Sequence, residues 1–195
     1  MTWWCRARWL PAALTLVVVA WIAALLSAEQ IVPFPTLVGP RAPVPAPYLI
    51  CAMGLVGLVY GLDRSRSALE STAARSIALR DAALVGSVAL ACTVTGGAAA
   101  ALGVPVAAGS ARVMVAALGA YLVVRVVVRP DLAALAPLGL LTCTIVVWDS
   151  STGPGPWLMA APEDVGAWVL SAVLFVAGVF LVLRPPRRRF VRFGY

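Results

Sequence analysis

The sequence predicts an all-α integral membrane protein. It has six transmembrane helices with both termini cytoplasmic (N-in/C-in), and a short cytoplasmic helix between spans two and three. Three observations predict this class. Hydrophobic types make up 62% of the 195 residues and charged types only 12%, against roughly 25% charge in soluble domains; the mean hydropathy is +0.96. Apolar stretches near the length that crosses a bilayer core, about 20 residues at 1.5 Å each, recur six times. The arginines gather on alternate connections between those stretches.

The predicted spans are 9–28, 47–62, 82–102, 112–128, 132–148 and 165–183, and they form one transmembrane domain over 1–195. Pro, Gly or charge punctuates every gap, as helix ends require. The first stretch has the basic start of a signal peptide, but its apolar run is longer than an h-region and five more spans follow, so it reads as a span. With the N-terminus inside, the cytoplasmic segments hold Arg6, Arg8, Arg64, Arg66, Arg75, Arg80, Arg125, Arg129, Arg184, Arg187, Arg188, Arg189 and Arg192. That is 13 of 15 arginines, leaving Arg41 and Arg112 outside, and the excess of positive charge sets the orientation. No soluble piece reaches the ~40 residues below which unaided folding is rare. All-Arg basicity, no Asn and abundant Ala, Val, Gly and Pro suggest a GC-rich bacterial genome, and so a bacterial cytoplasmic membrane.

Absent residue types exclude much chemistry. Without Lys there is no P-loop lysine and no Schiff base; without His there is no histidine base and no His-based zinc site. No CxxC pair occurs, and Cys5, Cys51, Cys92 and Cys143 read as small apolar filler. Asp63, Asp81, Asp131, Asp149, Glu163 and Asp164 flank helix ends, so no span carries the mid-membrane carboxylate that proton-driven pumps use. The chain is therefore read as no enzyme, with no catalytic, cofactor-binding or metal-ligating residues of its own.

The remaining features are packing and anchoring signals. Gly57 with Gly61 forms a GxxxG pair, and Ala116 with Ala120 a similar one, suited to close helix approach. Thr93, Thr95, Thr142 and Thr144 either line a polar seam or bond back to their own helices. Arg125, one turn before Arg129, either snorkels to lipid phosphates or meets a partner or an anionic substrate. Trp3, Trp4, Arg6 and Arg8 form an interfacial anchor at headgroup level. Arg187, Arg188 and Arg189 lock topology and contact lipid at the other terminus. So close to the bilayer, these arginines imply lipid rather than nucleic acid as the partner.

Between Asp63 and Asp81 there is no Pro or Gly. Ser67 with Glu70 three residues on has the spacing of a capping box, and Leu69, Ala73, Ile77 and Arg80 recur at helical spacing. This predicts the short cytoplasmic helix, which needs a surface to lie on. The run Ala68-Leu69-Glu70-Ser71-Thr72-Ala73-Ala74-Arg75-Ser76, between spans two and three of a six-span N-in chain, resembles membrane (permease) subunits of ABC transporters of the type-2 exporter class.

The resemblance implies a permease subunit of an ATP-driven exporter. A second permease copy, identical or homologous, would complete the pathway. A separate cytoplasmic ABC ATPase would bind the ATP, since this chain has no Walker sequence. Leu69, Glu70, Ala73, Arg75 and Ile77 would form the coupling helix that docks on that ATPase. Residues 3–8 would be the interfacial element. Residues 156–164 would be an extracellular element, with Trp157 and Leu158 dipping into the membrane interface. The alternative reading is a non-transporting accessory subunit that anchors or stabilises a larger membrane complex.

Overall fold

The computed structural model describes residues 10–37, 41–63, 74–128, 130–147 and 157–184. Its elements are helix α1 (Leu10–Leu26), strands β1 (Ile31–Phe34) and β2 (Ala42–Pro45), and helices α2 (Ala46–Asp63), α3 (Ala74–Ala101), α4 (Pro105–Val127), α5 (Pro130–Ala133), α6 (Ala136–Val146) and α7 (Val165–Leu183). Among the described residues four helical stretches are long and apolar enough to cross a membrane: Ala46–Asp63, Leu79–Ala101, Pro105–Val127 and Val165–Leu183. The two other predicted spans correspond to shorter apolar helices, α1 of 17 residues and α6 of 11. At 1.5 Å per residue these reach about 25 Å and 16 Å, against a hydrocarbon core of about 30 Å.

Local chemistry explains most helix ends. Proline stands in the first turn of α2, α4 and α6, as Pro47, Pro105 and Pro137, where its missing N–H costs nothing. Asp164 caps α7 by accepting from the Ala167 amide at 3.1 Å, a short-range N-cap bond. The turn from α3 to α4 is a Schellman motif. Val104 N donates to Ala99 O and Gly103 N to Ala100 O, both at 3.0 Å. Gly103 has φ +96°, a conformation that glycine adopts without the Cβ penalty.

Paired contacts fix the direction of each helix. Gly54 of α2 packs against Ala20 and Gly57 against Leu16 on α1, so these two are antiparallel. Gly96 of α3 packs against Ala107 and Ala111 of α4, again antiparallel. Gly119 of α4 meets Leu174 and Phe175 of α7, and Leu122 meets Gly178, so α4 and α7 run the same way. Tyr48 near the start of α2 touches Gly109 near the start of α4, while Asp63 and Tyr121 meet near their far ends. These two are parallel as well. Leu37 N donates to Val146 O and so places the C-terminal end of α6 beside the hairpin. Helices α1, α2, α3, α4, α6 and α7 therefore alternate in direction.

Helix α4 is the centre of the bundle. In its apolar stretch 78% of the residues are buried, against 17% in α7. Met114, Leu118, Tyr121 and Leu122 are fully buried along it. Most of α7 faces outward, with Val169, Val173, Val176 and Phe180 exposed. An outward face this apolar is the expected finish where the surround is lipid rather than water.

A β-hairpin joins α1 to α2, a feature on which the sequence analysis is silent. Its antiparallel register pairs Ile31 with Pro45, Val32 with Val44, Pro33 with Pro43 and Phe34 with Ala42. Ala46 N donates to Gln30 O at 2.9 Å, which makes that pair hydrogen-bonded. Hydrogen-bonded and non-bonded pairs alternate in such a ladder, so every proline of the hairpin falls in a non-bonded pair. The prolines that argue against a strand thus cost the ladder nothing. Ala42 and Val44 point inward and are completely buried against Tyr48, Leu141, Ile145 and Leu158.

Two corrections concern boundaries. The fourth predicted span begins at Arg112 because a charge stands there, but α4 begins at Pro105 and Arg112 lies inside it. The predicted coupling helix at 69–77 was separate from span three. In the structure the backbone is one unbroken helix from Ala74 to Ala101, so Arg75 and Ile77 belong to the first turn of α3. Leu69, Glu70 and Ala73 lie outside the described residues, as do Trp3, Trp4, Arg6, Arg8, Arg187, Arg188 and Arg189.

Candidate functional site

The charged side chains of this chain would be expected to line its surface. Four polar groups instead assemble inside the bundle at one end of α4. Asp63 is the last residue of α2, Asp81 lies in the second turn of α3, and Tyr121 and Arg125 are one turn apart on α4. All four are buried. Arg125 Nε stands 3.0 Å from Asp63 Oδ1, and Arg125 Nη2 donates to Asp81 Oδ2 at 2.9 Å. The Tyr121 hydroxyl donates to Asp63 Oδ2 at 3.0 Å, and the guanidinium carbon lies 5.6 Å from the Tyr121 ring centroid.

Helical geometry builds this arrangement. Residues four apart on α4 share a face, so Tyr121 and Arg125 point together into the gap between α2 and α3. Arginine suits the position because its planar fork engages two carboxylates from different directions. A charge removed from water is tolerated only when paired and hydrogen-bonded, and here both carboxylates and the phenol supply that pairing. Arg125 therefore neither snorkels to lipid nor waits for an outside partner; its guanidinium is engaged within the chain.

A second buried cation sits at the other end of α4. Arg112 is 0% exposed. Its Nη1 donates to Ala161 O at 2.8 Å, and its Nη2 donates to Ala160 O and to Leu158 O, the latter at 3.3 Å. Its Nε has no hydrogen-bond partner among the described residues. The charge is thus held by the carbonyl dipoles of the turn at 157–161, which it fastens to the bundle. Leu158 is fully buried beside it and Trp157 half-buried. The expectation that Leu158 dips into the membrane interface is corrected: it plugs the bundle, because Arg112 pulls its carbonyl inward. Trp168 Nε1 donates to Pro162 O at 2.9 Å and ties the same loop to α7.

The remaining sequence candidates resolve simply. Thr93 and Thr95 donate to Ala89 O and Ala91 O at 2.8 and 2.7 Å, and Thr144 to Leu141 O at 2.8 Å. Of the four threonines, these three bond back to their own helices rather than lining a polar seam. Gly57 faces Leu16, and Gly61, Ala116 and Ala120 are buried, so these small residues serve packing within the chain. Cys51 and Cys92 are buried in the core and Cys143 is exposed, all three as free thiols. Cys5 lies outside the described residues. Among the described residues no group of three or more Cys, Asp and Glu side chains comes together in a way that could hold a metal ion.

Sequence reasoning missed both buried cations because it treated each charge as a boundary marker. One signal was present. Arg112 and Arg125 are 13 residues apart in an otherwise apolar run, so a single helix carrying both cannot place both in water without losing most of its length. Comparison with family models, with curated proteins and with solved structures finds no match for this chain.

Proposed function

We propose that the chain is the permease subunit of an ATP-driven exporter in a bacterial cytoplasmic membrane. It crosses six times with both termini cytoplasmic, pairs with a second permease copy, and is driven by a separate ATPase docked on residues 69–77. One observation carries this reading. The alternating helices bring the start of α1, the end of α2, the start of α3, the junction of α4 with α5 and the end of α7 to the same end of the bundle. The sequence attached to those ends contains 13 of the 15 arginines. Positive charge marks the cytoplasmic side, so the segment resembling a coupling helix would face the compartment that holds ATP. In this reading α1 makes a short crossing, and α5 with α6 makes a broken one. The ATP resides in the partner, and this chain binds no cofactor.

The second reading, an accessory subunit of a larger membrane complex, draws on the interior of the bundle. Met114, Leu118, Tyr121, Leu122 and Leu55 fill the space around α4 with fully buried side chains. Any pathway would then lie between chains rather than through this one, and an anchoring protein has the same filled interior.

The test is purification of the tagged protein from its native membrane in mild detergent, with stoichiometry by mass spectrometry. An exporter returns a soluble P-loop ATPase in equal amount. A larger membrane complex without an ATPase overturns the exporter reading in favour of the accessory one. In a reconstituted exporter, Glu70→Arg uncouples ATP hydrolysis from transport while the helices stay folded. Normal export by that variant removes the docking role assigned to residues 69–77.

A further inference from the structure

The α2–α3 connection is bounded by two carboxylates held by the same guanidinium. Asp63 ends α2, Asp81 lies in the second turn of α3, and Arg125 of α4 contacts both, at 3.0 and 2.9 Å. Tyr121 braces the α2 side through its 3.0 Å bond to Asp63. Elsewhere the same helices meet through apolar packing, with Leu55, Leu58, Leu62 and Val85 buried against α4. Apolar burial has no preferred direction, so it sets how closely these helices approach rather than which groups must meet. A charged hydrogen bond such as Arg125 Nη2 to Asp81 Oδ2 is directional, and the ion pair of Nε with Asp63 adds a second carboxylate to the same guanidinium. The polar cluster is thus the place where the relative position of three helices is set by directional contacts.

We propose that Arg125 is a positioning residue, the pin of a latch that closes the ends of α2 and α3 onto the central helix. A displacement of the end of α2 or the start of α3 then reaches α4 through the contacts of Arg125 with Asp63 and Asp81 and the Tyr121–Asp63 bond. Release of the pin frees those two ends together and leaves the opposite end of the bundle shut, where Arg112 fastens the turn at 157–161. The latch goes beyond the exporter reading and does not depend on it. It is a property of the single chain, whatever protein docks there and whatever the chain carries.

The test uses the full chain in lipid nanodiscs, with Cys5, Cys51, Cys92 and Cys143 replaced by alanine and spin labels at introduced cysteines. Labels at Tyr60→Cys and Val127→Cys report the α2–α4 distance at the Arg125 end, and labels at Leu79→Cys and Val127→Cys report α3–α4. Labels at Met53→Cys and Leu102→Cys report α2 and α3 towards the other end. All these positions are exposed. With Arg125 present, each pair gives one narrow distance distribution. Arg125→Gln shifts or broadens both distributions at the Arg125 end by roughly 2 Å or more, the scale of helix shifts in switching proteins, and leaves the Met53–Leu102 pair unchanged. Asp81→Asn, which keeps the Asp63 contact, shifts only the Leu79–Val127 pair and serves where Arg125→Gln does not fold. Unchanged distances at the Arg125 end in the folded variants overturn the latch. So does an equal broadening at both ends, which marks general loosening rather than release of one end.

Discussion

Placing a methyl group on Gly119 should pry α7 from the bundle. A Cβ built at Gly119 falls 2.7 Å from Phe175 N and 2.8 Å from Leu174 C, both backbone atoms of α7. A Cβ at Gly178 falls 2.8 Å from Gly119 O. Carbon atoms pack best at about 3.5–4.0 Å, so α7 must retreat by about 1 Å, and backbone has no rotamer by which to give way. Overpacking of this kind costs about 1–3 kcal/mol. The cost falls on the helix least able to absorb it, since only 17% of the α7 apolar stretch is buried and its hold on the bundle is this close crossing with α4. Gly119→Ala should therefore lower stability by about 2 kcal/mol, measured as reversible unfolding in mixed micelles. Gly97→Ala is the matched control. Its Cβ meets nothing within 4 Å, and relief of glycine's backbone entropy should leave stability equal or raise it by up to about 1 kcal/mol. If Gly119→Ala lies within about 0.5 kcal/mol of the parent, as ordinary surface substitutions do, or if the two variants behave alike, the close-crossing argument fails.

Two further outcomes follow from the polar contacts. Arg112→Met keeps an unbranched apolar stem but removes the donors from the carbonyls of Leu158, Ala160 and Ala161. Leaving buried acceptors unmatched should cost about 3 kcal/mol, and hydrogen exchange should accelerate at 157–161 before it does in α4; uniform exchange across both would argue against the fastening role. Asp164→Ala removes the acceptor for the Ala167 amide and should cost about 1 kcal/mol, the usual value of an N-cap. Asp164→Asn or Asp164→Ser should restore most of it, and failure of both to rescue would assign the loss to something other than capping.

Local signals carried the reading of the helices well. The last helix, predicted at 165–183, spans Val165–Leu183, because an acidic cap precedes it and an arginine follows, with no charge between. The end of the third, predicted near residue 102, falls at Ala101, where the Gly103 turn allows nothing else. The errors share one cause. Local pattern marks Arg112 as an end, and Arg125 as a contact with lipid, a partner or an anionic substrate, because a charge in isolation belongs in water or at headgroups. Proline is hostile to strands in general, and only the register shows that each proline of the hairpin occupies a pair that exchanges no hydrogen bond.

Composition and periodicity alone determined that this chain is helical and apolar, where most helices start and stop, and which connections carry the positive charge. Those properties depend on each residue and its near neighbours, through transfer energy, capping and the length of an apolar run. Only the tertiary structure decided which charges are buried. The partners of Arg112 lie 46 to 49 positions away, Asp81 lies 44 from Arg125, and Asp63 lies 58 from Tyr121. The energy of a buried charge is set by what surrounds it in space, and helices joined by turns bring such groups together at separations that no local pattern encodes.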